Sequence, residues 1–238
     1  MRRTLLLAIA LCALSSVASA LPAPETSTFC QLTDGTSVSG ALQCAQGDLE
    51  SVVMTLAPQV TLTATFSSAP GFDTIGSVKY AFQVVGGHAG DAVPVLVDAE
   101  LATTAAGSSL GAAGILVSEG SRFVQQNVCT NASECAAPSF DGTLALTMAS
   151  GDTGMIQLTV QAASGFPIPG AATAFADPFI RIDPTFANAG LYSIVVPDGV
   201  GNAPVPEPAE TLLVLVGLTS LVSCLRLNGP IRRGPRSA

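Results

Sequence analysis

Apolar and polar residues alternate along most of the chain. From Val60 to Phe66 the sequence VTLTATF places Val60, Leu62, Ala64 and Phe66 on one face and threonines on the other. The same period of two recurs at Tyr80, Phe82 and Val84, and at Val93, Val95, Val97 and Ala99. It returns at Leu144, Leu146 and Met148, at Ile156, Leu158, Val160 and Ala162, at Ile180 and Ile182, and at Tyr192, Ile194 and Val196. That period belongs to a pleated strand with one buried face. Turn-forming clusters separate the runs: Ser-Ala-Pro-Gly (68–71), Gly-Gly-His-Ala-Gly-Asp (86–91), Asp-Gly (141–142) and Gly-Asp-Thr-Gly (151–154). Short alternating strands joined by such turns predict an all-β chain, an antiparallel β-sandwich whose jelly-roll or immunoglobulin-like topology the pattern leaves open. The 151–154 turn reads as a hairpin joining strands near 143–149 and 155–163. Residues 102–109 (ATTAAGSS) read as a flexible loop. In 176–186 (ADPFIRIDPTF) two Asp-Pro steps flank a four-residue strand, and each proline suits a strand end or an edge.

The two ends break this pattern. Arg2 and Arg3 precede the apolar run Thr4–Leu14, and Ala18-Ser19-Ala20 follows with small residues where a signal peptidase needs them. Residues 1–20 are therefore expected to be a Sec signal peptide cleaved after Ala20. Near the other end, Pro206-Glu207-Pro208 precedes an apolar run, Leu212–Leu225, that contains Gly217. As a helix this run reaches about 21 Å, short of the ~30 Å hydrocarbon core of a bilayer. Arg226, Arg232, Arg233 and Arg236 lie beyond it with no base on its near side, which predicts a cytoplasmic C-terminus.

Pro-Glu-Pro, a short hydrophobic helix with a glycine, and a terminal basic cluster occur here in that order. The tail resembles the PEP-CTERM sorting signal of Gram-negative bacteria. The match covers Pro206, Glu207 and Pro208, Gly217, and the bases Arg226, Arg232 and Arg233, the last two separated from the first by Leu227–Ile231. The resemblance implies that exosortase, a membrane-embedded cysteine-protease-like enzyme, removes the tail during surface sorting. The prolines keep the site extended and out of a helix. The closing pattern of 176–202, ahead of the tag, also resembles that of other proteins carrying it. The chain then divides into the signal 1–20, a β-sandwich ectodomain 21–204 and the sorting signal 205–238.

Charge narrows the partners of the ectodomain. Its three bases, Lys79, Arg122 and Arg181, face 15 acids, so it stands at −12 against −8 for the whole chain. No basic footprint for nucleic acid exists. Cys12 leaves with the signal and Cys224 lies in the tail helix, leaving Cys30, Cys44, Cys129 and Cys135. An even number in an exported chain predicts disulfides. Of three connectivities, polar turn-rich sequence inside each pair favours Cys30–Cys44 and Cys129–Cys135.

Catalytic chemistry has little to work with. His88 is the single imidazole, so a Ser-His-Asp hydrolase would have to use it, and no G-x-S-x-G elbow is present. The chain has no Trp and two Tyr, few rings on which a glycosidase could stack sugars. Calcium is the ligand that acidic loops could hold, from Asp34, Asp48, Glu50, Asp73, Asp91, Asp141 and Asp152, although no EF-hand or RTX spacing occurs. The expectation is a non-enzymatic protein without a required cofactor or metal. It would leave through the Sec translocon, be held briefly in the inner membrane, and be released at the cell surface or outside the cell. A structural or interaction role in the exopolysaccharide matrix follows from the resemblance. A calcium-dependent adhesion or binding module and a secreted hydrolase are the alternatives.

Overall fold

An alternating strand needs a second apolar face to cover its own, and the chain supplies two sheets. The computed structural model describes residues 20–31, 36–46, 50–67, 73–131, 137–164 and 170–203. The chain divides into two compact units, Met1–Ala203 and Pro204–Ala238, and the described residues belong to the first. Sheet A contains β1 (Glu25–Gln31), β2 (Ser37–Gly40), β6 (Asp73–Gly86), β8 (Ser109–Glu119), β9 (Arg122–Thr130), β11 (Thr153–Ser164) and β13 (Tyr192–Val195). Their order is β2-β1-β6-β11-β8-β9, with β13 also paired to β6. Sheet B contains β3 (Gln43–Gln46), β4 (Glu50–Thr55), β5 (Thr61–Ser67), β7 (Ala92–Ala106), β10 (Ser139–Ala149) and β12 (Ala171–Ile182), in the order β10-β7-β12-β5-β4-β3. All pairings are antiparallel. From β5 onward the chain changes sheet at every connection except the β8–β9 hairpin. The fold is an antiparallel β-sandwich.

The core is the set of alternating apolar positions. Leu62, Tyr80, Phe82, Leu101, Ile115, Met148, Ile156, Leu158 and Ile180 are fully buried. Burying such a side chain stabilises the fold by roughly 1.5–3 kcal/mol. Leu144, Leu146, Tyr192 and Ile194 are partly covered and pack against this cluster.

Four local expectations are corrected. Residues 102–109 are not a loop: 102–106 continue β7 and pair with β12, and β8 starts at Ser109 after a turn at Gly107. Small residues hid this strand because they carry almost no hydropathy contrast. Asp141-Gly142 is not a turn either. It lies inside β10, where Asp141 faces Glu100 and Gly142 faces Ala99, and the ring of Phe140 covers the space a Gly142 side chain would take.

The 151–154 turn is not a hairpin, since β10 and β11 lie in different sheets. Gly151, at φ +97°, donates to the Val84 carbonyl and Ser150 to that of Asp91, so the corner is held by the 86–91 loop. Lastly, the strand around Pro178 has twelve residues. β5 pairs with β12 only through Ala176, and from there that edge of β12 is open. The Ile180 N–H points to that edge, so the proline two residues earlier faces its missing donor the same way and leaves the β7 ladder intact. Pro184 follows the strand end.

The open edge is filled by the last described residues. Asn202 accepts from the Ile180 N–H and donates to its carbonyl, both at 2.8 Å, imitating a strand partner. Gly201 donates to Leu56 O at 2.5 Å and Ala203 to Pro58 O at 3.3 Å.

Candidate functional site

At one end of the sandwich, the 86–91 loop carries His88. Its side chain is 95% exposed and its Nδ1 lies 3.6 Å from Asp91 Oδ2. Asp91 is already engaged: Tyr192 donates its hydroxyl to Oδ2 at 2.7 Å and the His88 backbone N–H donates at 3.0 Å. These bonds hold the Asp91 carboxyl below the usual carboxylate range, Tyr192 first. Ser150, beside this loop, donates its hydroxyl to Gly86 O at 2.5 Å. An acid and a histidine thus meet here, but the neighbouring serine is turned to the backbone, and no nucleophile–base pair results. Next to this corner a polar hollow of about 400 Å³ is bordered by Glu119, Ser121, Arg122 and Asp152. Arg122 reaches Thr147 O at 3.4 Å.

The outer face of sheet B is acidic. Asp141, Glu100 and Asp177 are successive register partners on β10, β7 and β12. One residue pair along, Asp98 accepts from Arg181 through both carboxylate oxygens, at 2.5 and 3.1 Å, and from the Thr143 hydroxyl at 2.6 Å. The guanidinium contact lowers the Asp98 pKa. Asp177 is 6% exposed and takes the Gln59 amide at 3.0 Å. Burial, with the Glu100 charge opposite, raises its pKa to about 6. Glu50 is 2% exposed, has no hydrogen-bond partner among the described residues, and is raised by burial to about 7.

The acidic residues of the calcium alternative are scattered. Asp34 and Asp48 lie outside the described residues. Glu50, Asp73 and Asp141 are strand residues rather than loop residues, because their strands extend past the turn signals. Asp73 is bound by the Gln161 amide at 2.8 Å. Among the described residues no three His, Cys, Asp or Glu side chains are grouped to hold a metal ion.

Cys30 and Cys44 are bonded, with Cα atoms 6.0 Å apart, as the local pairing expected. Cys129 is also in a disulfide, while Cys135 lies outside the described residues. So do Ala18, Pro206, Glu207, Pro208, Gly217, Arg226, Arg232 and Arg233. Ala20 is the first described residue. Among the described residues no helix is long and apolar enough to cross a membrane. The Tyr192–Asp91 and Arg181–Asp98 contacts join residues 101 and 83 positions apart, a distance over which no local motif signals a meeting.

No family model matches the chain, and no curated protein matches it. Among solved structures, the carbohydrate-binding module TmCBM61 in complex with β-1,4-galactotriose is similar over 59% of this chain and 87% of that chain. The two are 16% identical with a TM-score of 0.27, a likeness too distant to carry an argument about this chain.

Proposed function

We propose that the chain is an exported, non-enzymatic protein that exosortase processes at Pro206-Glu207-Pro208 and that then serves a structural or binding role in the polysaccharide matrix of the cell envelope. One observation supports it above the others: the compact β-unit is closed by Gly201, Asn202 and Ala203, immediately ahead of the tag. Cleavage at the motif then leaves every described residue of the sandwich in place. The buried Cys30–Cys44 bond suits an oxidising compartment. A binding role is favoured over hydrolysis because the one histidine projects into solvent and the acid beside it is satisfied by Tyr192.

Intact mass and a tail-specific antibody test the reading. The surface form is expected to lack the residues after the motif. Replacing Pro206-Glu207-Pro208 by three alanines should leave a membrane-retained form heavier by about three kilodaltons, since alanines let helix spread back from Leu212. A mature surface protein that still ends at Ala238 would overturn the proposal.

A further inference from the structure

The outer face of sheet A differs in chemistry from that of sheet B. Register partners line up across five strands: Glu25, Lys79, Gln157, Leu116 and Gln125 in one row, and Ser27, Ser77, Thr159, Gly114 and Asn127 in the next. The only charges in these rows are Lys79 and Glu25, 3.9 Å apart and mutually neutralising. The side chains of Gln125, Asn127, Gln157 and Thr159 have no hydrogen-bond partner among the described residues.

Two hollows lie on this face. One, of about 410 Å³, is bordered by Glu25, Ser27, Ser77, Lys79 and Gln157. The other, of about 200 Å³, lies over Gly114 between Asn127 and Thr159. Ser77 and Thr159 are register partners, so the hollows adjoin. Asn127 Oδ1 lies so close over residue 114 that a Cβ there would press on it. At the border of the face Phe123 is 64% exposed.

We propose that this face binds a neutral, hydroxyl-rich polysaccharide laid across the strands from β1 toward β9. Amides and hydroxyls each donate and accept, which matches sugar hydroxyls in either sense. The absence of net charge selects against polyanions, which would gain nothing from a paired lysine. Phe123 supplies an apolar ring at the edge of the track. Four inter-strand spacings give a track of about 19 Å, enough for a short oligosaccharide segment. The inference deepens the matrix proposal and rests on it only for where the polymer is met.

Affinity electrophoresis of the purified full-length chain in mild non-ionic detergent tests it, with dextran, galactomannan or hydroxyethylcellulose in the gel and alginate as the anionic control. At least one neutral polymer should retard the chain and alginate should not. The pair Asn127→Ala and Gln157→Ala should weaken retardation tenfold or more. Gly114→Ala, which pushes aside the Asn127 amide at the second hollow, should weaken it as well and serves if the double variant melts early. Asp141→Asn, on the outer face of sheet B, should change nothing. Retardation by none of the three neutral polymers, equal retardation by alginate, or indifference to both sheet A variants would overturn the proposal. Sorting is read separately from the mass of the surface form, so a chain that binds polymer yet keeps its tail overturns only the sorting proposal.

Discussion

Asp177 shows how a single carboxyl sets a pH dependence. Its folded pKa of about 6 lies above the ordinary 3.8, because burial and the Glu100 charge oppose ionisation. The stability this group allows is therefore complete below pH ~4 and is lost as pH rises through about 6. Glu50, raised to about 7, pulls the same way one unit higher. Asp91, Asp98 and Asp183 oppose them, since their lowered pKa values make stability fall as pH drops through the acid range. A stability maximum near pH ~4 is expected, read as the thermal midpoint across buffers. Asp177→Asn keeps an acceptor for the Gln59 amide and removes the charge. It should raise stability at pH 7 by on the order of 2 kcal/mol and leave it nearly unchanged at pH ~3. A variant that is less stable at both pH values would show that the ionised group is needed.

At the level of strands, legibility followed contrast. The β5, β7 and β11 faces were readable because bulky apolar residues alternate with threonine, glutamine or charge along them. The strand at 109–119 escaped because Gly111, Ala112, Ala113 and Gly114 carry no comparable signal, yet it pairs fully with β11 and β9. Turn chemistry marked the corner at 151 correctly but could not say whether the next strand joins the same sheet, which depends on the distant 86–91 loop. The candidate binding rows were invisible for the same reason, as each draws one residue from each of five strands. The Cys30–Cys44 pair was legible because it is local, and it links the end of β1 in sheet A to β3 in sheet B. A loop of about 15 residues contributes roughly 3 kcal/mol in the chain-entropy model. Replacing both cysteines by serine should lower the denaturant midpoint accordingly, and non-reducing peptide mapping of the wild type should recover the 30–44 link. A midpoint that does not move would mean that packing between the sheets already does the work of the bond.

For the sandwich as a whole, the closing residues matter out of proportion to their number. A side chain at Gly201 would collide with the Pro58 carbonyl, so Gly201→Ala should undock the segment. The expected loss is about 1–3 kcal/mol, measured by chemical denaturation, and an unchanged midpoint would show that the segment is not docked in solution. The same clasp has a mechanical side. A pull applied at Ala203 meets the Asn202 side-chain bonds and the Gly201 and Ala203 amides before it reaches a ladder of either sheet. A few residues can therefore give way first and lengthen the tether while β12 keeps its full pairing with β7. In a protein held by its C-terminal side under flow or crowding, this short stretch would act as a shock absorber for the folded domain.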